Sequence, residues 1–137
     1  MRLFLAALSL IWFAGCGLLG LSSESLIFRT DAEEYSAGEI VRLSMENRSS
    51  HPFEMGNFCH ARVERRGDDR WIRVTPPEGY GCTSELVILA PDERLEMDFR
   101  LYDDLEPGRY RLVHSAYVDI AVTEPISVVS NSFQVTS

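Results

Sequence analysis

The sequence predicts an all-β protein, an antiparallel β-sandwich of about seven to nine strands. Two strand-like stretches carry most of this expectation. Leu95, Met97, Phe99 and Leu101 alternate with Glu96, Asp98 and Arg100, and Val41, Leu43 and Met45 alternate with Arg42, Ser44 and Glu46. A period of two marks a strand with one buried face. The third observation is that turn-forming clusters recur throughout residues 26–137, while no stretch has helical periodicity.

Taken in order, Leu26-Ile27-Phe28 is a short apolar run and begins the first strand. Ser36-Ala37-Gly38-Glu39 turns the chain into the Val41–Met45 strand, which ends at Asn47 before the loop residues Arg48-Ser49-Ser50 and Pro52. Phe53 and Met55 resume the alternation briefly. Ala61 to Val74 reads as a hairpin turning at Gly67-Asp68-Asp69, with Val63 on one arm and Trp71 and Ile72 on the other. Pro76-Pro77-Glu78-Gly79-Tyr80-Gly81 is an irregular loop, since prolines and glycines do not sustain a ladder. Ser84 to Leu89 is a further strand, and Pro91-Asp92 turns into the Leu95–Leu101 strand. Asp103 to Gly108 is another turn, Tyr110-Arg111-Leu112-Val113 opens the next strand, and Ile126 to Val135 is the last, with Phe133 and Val135 inward.

The N-terminus reads as a targeting signal. Arg2 is followed by an almost wholly apolar run from Leu3 to Phe13 and then by Phe13-Ala14-Gly15-Cys16. Small residues before a cysteine resemble a bacterial lipobox, in which Cys16 would be acylated and become the mature N-terminus. The competing reading is an uncleaved anchor, because no charge appears from Leu3 to Ser23 and about 20 residues span a bilayer. Gly15, Gly17, Gly20, Ser22 and Ser23 dilute the second half of that run, and plain secretion is the third option. The lipoprotein reading divides the chain into a signal peptide (1–15), a tether (16–25) and one domain (26–137) of 112 residues, enough for a single core. It places the protein in the bacterial cell envelope, attached to the membrane through its N-terminal lipid.

Past the signal, 12 basic side chains face 21 acidic ones, a net charge of −9, and every basic residue is arginine. That balance speaks against nucleic acid as a partner, because phosphate contacts need clustered positive charge. It speaks equally against electrostatic docking on anionic lipid. Without lysine there is no Schiff base, and no G-x-S-x-G, H-E-x-x-H, P-loop or G-x-G-x-x-G motif is present. Asp92, Glu93, Asp103, Asp104 and Glu106 fall in turns, where carboxylates solvate loops and cap amides. No catalytic residue and no cofactor is expected.

The phrases YSAGEIVRLSMENRSSHPF, DDRWIRV, LAPDERLEMDFRLYDDLEPGRYRLV and SNSFQV together resemble a bacterial immunoglobulin-like domain of the Big type. The spacing Leu105-x-Pro107-Gly108-x-Tyr110 is similar to the tyrosine corner of immunoglobulin-like sandwiches, where a tyrosine opening a strand hydrogen-bonds back to the preceding crossover. An ordinary hairpin with a core tyrosine is the alternative. The resemblance implies an immunoglobulin-like sandwich with a modular, non-catalytic binding or structural role. A fainter likeness, carried by the strand–Asn–Ser loop and the Pro-Gly-x-Tyr corner, is to the BsuPI-type proteinase-inhibitor domain. It implies an inhibitor acting through an exposed loop.

With Cys16 assigned to lipid, Cys59 and Cys82 remain, and in an oxidising compartment they are expected to pair. A sharper alternative is a metal site using Cys59, His60, Cys82, His51 and Met55, although no common ligand spacing is present. The bridge would draw together the loops carrying Phe58 on one side and Pro77 and Tyr80 on the other. With both rings exposed, these loops form a candidate site for a protein partner. The blander reading has Phe58 closing the core and Tyr80 covering the bridge.

Overall fold

A computed structural model describes residues 25–118 and 124–137; the signal segment, Cys16 and all of the tether before Ser25 lie outside the described residues. Two sheets face each other. The smaller contains β1 (Leu26–Thr30), β3 (Ile40–Asn47) and β8 (Arg94–Arg100) in the order β1-β3-β8, all antiparallel. Val41, Leu43 and Met45 of β3 are fully buried, and they pair with Phe99, Met97 and Leu95 of β8. The period-two pattern therefore does what it predicts, placing one row of apolar side chains between the sheets.

The larger sheet is organised around β9 (Gly108–Tyr117). On one flank, β11 (Phe133–Thr136) pairs with its beginning and β10 (Ile126–Val129) with its end. On the other flank the same division recurs. β5 (Arg62–Arg66) pairs with the first half of β9 and β4 (Phe53–Gly56) with the last residues. Outside these lie β6 (Trp71–Arg73) on β5 and β7 (Leu86–Leu89) on β4. β2 (Glu34–Ser36) closes the opposite edge by pairing in parallel with β11. The final strand expected from Ile126 to Val135 is thus two strands. Ser130 interrupts it, its backbone N–H bonding to Leu112 O at 2.9 Å while its hydroxyl accepts from Leu112 N–H at 2.9 Å. Two polar groups of one small residue replace a regular rung and bend the chain, which apolar patterning does not register.

Asn47 shows how a fully buried polar side chain is retained. Its Nδ2 donates to His51 O (2.7 Å) and Leu89 O (3.1 Å), and its Oδ1 accepts from Ser49 N–H (2.9 Å) and the Ser49 hydroxyl (2.7 Å). With both ends of the amide satisfied, these hydrogen bonds offset the cost of taking it out of water. Gly38 (φ +75) makes the turn after β2 possible, and its N–H reaches Tyr102 O at 3.1 Å, joining this turn to the crossover after β8.

That crossover contains the corner. The Tyr110 hydroxyl donates to Glu106 O at 2.6 Å, Leu105 is buried beneath, and the Tyr110 ring stacks on Phe133 at 6.3 Å. Arg65 binds the turn from outside through Glu106 Oε2 (2.6 Å) and Pro107 O (3.1 Å). Gly108 leaves room for this, since a Cβ there would come within 3.0 Å of Arg65 Nε. Tyr110→Phe keeps the packing and leaves the Glu106 carbonyl without its donor, so the expected loss is about 1–3 kcal/mol. Denaturant titration checks this; a variant as stable as the parent would show that the hydrogen bond contributes nothing.

Candidate functional site

The flank of β9 carrying β4 and β5 is broken at Asn57–Ala61 by a 3-10 turn over Phe58–His60. Asn57 caps it, its Oδ1 accepting from Cys59 N–H at 3.2 Å. Four links then tie the break to the loop before β7. Cys59 and Cys82 form a disulfide with their Cα atoms 5.7 Å apart. Asn57 Nδ2 donates to Thr83 O (3.2 Å) and Thr83 Oγ1 (3.1 Å), and His60 Nε2 donates to Thr83 O at 3.1 Å. The Tyr80 hydroxyl donates to Cys59 O at 3.2 Å. Tyr80 is placed by a turn from Pro77, whose carbonyl accepts Tyr80 N–H at 3.1 Å, with Gly79 supplying the positive φ of +80. Such a turn favours glycine at its third position.

Phe58 is not an exposed anchor. Its side chain is fully buried, 5.4 Å from the Phe28 ring and 5.5 Å edge-on to His114. The 3-10 turn points it inward, so it plugs the gap that the break would leave in the core. Tyr80 is half-buried, edge-on to Tyr102 at 5.1 Å and held to Cys59 O. The site built on both rings facing solvent is therefore corrected: they cover the core and the bridge, and Pro77 serves to shape the turn. The metal alternative needs free thiolates. Cys59, His60 and Cys82 do converge, their ligand atoms lying within 4.8 Å of one another, but the bridge occupies both sulfurs. Met55 is sealed in the core and His51 is exposed in the loop after β3.

Two openings flank the pinned break. The larger, about 430 Å3, lies on the outer face of the large sheet and is lined by Gly56, Leu86, Glu85, Ser115, Tyr117 and His114, among others. Leu86 and Ile88 on β7 beside it are 54% and 59% exposed, and among the described residues no strand pairs with the outer edge of β7. His114 is buried at the inner end, where Nε2 donates to Gly56 O at 2.8 Å and Nδ1 has no partner. Burial pushes its pKa below the ordinary histidine value, so the ring is neutral with Nδ1 unprotonated. The smaller opening, about 220 Å3, is floored by the disulfide and lined by Tyr80, Tyr102, His60, Arg62 and Arg73. His60 and Arg62 border both openings.

The surroundings are cationic on a molecule of net charge −8. By register, Arg62, Arg66, Arg73, Arg109 and Arg111 occupy outward ladder positions on β5, β6 and β9, with Glu64 between them. Arg111 claims Glu64, its Nε at 2.8 Å and Nη2 at 2.7 Å from Oε2, and lies over the Trp71 ring at 4.5 Å. Arg62 reaches the same carboxylate only at 3.7 Å, and its Nε is buried without a hydrogen-bond partner. Sequence reasoning passed over this group. Its signal was legible as five arginines, at 62, 65, 66, 70 and 73, within twelve residues of an otherwise acidic chain.

Residues 22–129 match the family described as the bacterial Ig-like domain. The chain belongs to that family. In immunoglobulin lettering, β1, β3 and β8 of this Ig-like domain take the places of strands A, B and E. The β10–β11 pair, β9, and the β4–β5 pair take those of G, F and C. Its disulfide departs from the bridge of antibody domains, which joins B to F. Here those strands present Leu43, Met45 and Leu112, all fully buried, and the cysteines instead pin the break in C. No curated protein matches the sequence. Among solved structures, an alkylpurine DNA glycosylase, AlkC, of Pseudomonas fluorescens is similar at 10% identity and TM-score 0.44, over 82% of this chain and 31% of that one. A β-glucosidase of Listeria innocua is similar at 15% identity and TM-score 0.37, over 79% of this chain and 16% of that one. The Ig-like chain thus spans less than a third of either.

Proposed function

We propose that this Ig-like domain is a non-catalytic binding module, held at the bacterial envelope by a lipid on Cys16, and that it engages a protein partner through the pinned break of its large sheet. The observation that carries this reading is the break itself. A bridge and three side-chain contacts fix an interruption beside an exposed apolar edge, with openings on both sides of Arg62. A preorganised surface of this kind loses little freedom on binding. Three titratable groups around it are engaged in structure, Glu64 by Arg111, His60 by Thr83 O and His114 by Gly56 O, while Glu85 is exposed at the rim. That supports binding over acid–base work.

Anchoring is tested by Cys16→Ser, expected to abolish metabolic lipid labelling and to leave the signal uncleaved or differently processed. Two or three acyl chains, each buried methylene contributing about 0.8 kcal/mol, account for the attachment. Undiminished label in the serine variant would remove the anchor from the proposal. Binding is tested by passing solubilised envelope membranes over the immobilised full chain, its Leu86→Arg variant and its Glu96→Arg variant. A component retained by the parent and by Glu96→Arg, and lost with Leu86→Arg, is the expected result. Identical retention by all three would exclude the β7 side as the binding surface.

A further inference from the structure

We infer that the smaller opening is a receptor for one carboxylate side chain of the partner, presented on an acidic–apolar segment whose apolar residue lies against Leu86. This rests on the binding-module reading above and names what the site recognises. At about 220 Å3 the cleft falls below the roughly 300 Å3 at which small-molecule pockets begin, and it suits a single side chain. Its lining carries Arg62, Arg73 and His60 and, among the described residues, no carboxylate. Burial raises the pKa of Tyr80 and pushes that of Tyr102 up to about 12, so neither phenol offsets the positive charge.

The decisive side chain is Arg62. It borders both openings and is 40% exposed, its Nε has no hydrogen-bond acceptor among the described residues, and Glu64, which it reaches only at 3.7 Å, is held by Arg111. A half-exposed guanidinium without a close acceptor can take one, and a planar carboxylate is the acceptor that its fork fits. The Tyr80 and Tyr102 rings and the disulfide supply apolar walls for the methylene stem of a glutamate. On the other side of Arg62, the exposed Leu86 meets the next apolar residue of the segment.

The full chain in detergent, observed through its arginine Nε–Hε signals, is titrated with acetylated, amidated Gly-Glu-Leu-Gly, with Gly-Gln-Leu-Gly, and with inorganic phosphate. The glutamate peptide is expected to move the Arg62 signal saturably and to leave that of Arg94, on the small sheet, in place. The glutamine peptide should bind at least ten-fold more weakly, and both Arg62→Gln and Arg73→Gln should weaken the glutamate peptide at least ten-fold. A stationary Arg62 signal at millimolar peptide, or equal binding of the glutamine peptide, would overturn the inference. Phosphate binding as strongly as the peptide would overturn it too, by showing a general anion site. Failure here beside loss of the retained component in Leu86→Arg would leave the binding module standing without its carboxylate receptor.

Discussion

Phe58→Ala is expected to lower the unfolding free energy by about 3–5 kcal/mol, the range for emptying a buried aromatic site. The side chain comes from a 3-10 turn, outside any strand, yet it is fully buried and contacts Phe28 of β1 and His114 of β9. It is therefore the plug that lets the large sheet break without opening the core. The surrounding sheets cannot collapse onto the vacancy, because the disulfide and the Asn57–Thr83 bonds hold the turn in place. The cavity term then adds to the lost transfer free energy. Urea titration of parent and variant, with the slopes compared, measures the difference. A loss below about 1 kcal/mol would mean that Phe58 is dispensable to the core, against its packing here.

The Cys59→Ser, Cys82→Ser double variant is expected to lose about 3.5 kcal/mol. The bridge spans 23 positions in the chain, and the chain-entropy account assigns roughly that value to such a loop. Among the described residues it is the sole covalent link between the break and the loop before β7; the remaining ties are hydrogen bonds through Asn57, His60 and Tyr80. The check is the urea midpoint of the double variant against the oxidised parent, with reduced parent as a second comparison. A shift equivalent to less than about 1 kcal/mol would show that those hydrogen bonds suffice.

Much of the architecture was legible because it is written in apolar periodicity. β3 and β8 alternate cleanly: Val41, Leu43 and Met45 of β3 and Phe99 of β8 are buried, and Leu95 and Met97 of β8 half-buried. The corner was legible through a short spacing ending at Tyr110, whose hydroxyl does meet the Glu106 carbonyl. What was not legible is where a strand stops being continuous. The interruption at Ser130 depends on a hydroxyl and an amide bonding across to Leu112, and the one at Asn57–Ala61 on Asn57 and Cys59 meeting residues more than twenty positions away.

The candidate site fared similarly. The pairing of Cys59 with Cys82 followed from the cysteine count and the compartment that the N-terminus leads one to expect, but the placement of Phe58 did not. Lying outside a clear alternation made its ring look available to solvent, whereas a 3-10 turn directs it inward. Tyr80→Ala is not a neutral probe of binding, since it removes a hydrogen bond to Cys59 O and the contact with Tyr102. The arginines at 62 and 73 were visible as a cluster. Their meeting over the disulfide was not, because it depends on the β5–β6 hairpin folding back across the bridge.

Position-resolved photo-crosslinking in cells tests the central claim most directly, that the pinned break is where the module meets its partner. A crosslinking amino acid is placed at Leu86, beside the larger opening, or at Glu96, exposed on the small sheet. The expected result is one discrete adduct from position 86 and none from position 96. The same adduct from position 96 alone, or from both positions with equal yield, would contradict the assignment.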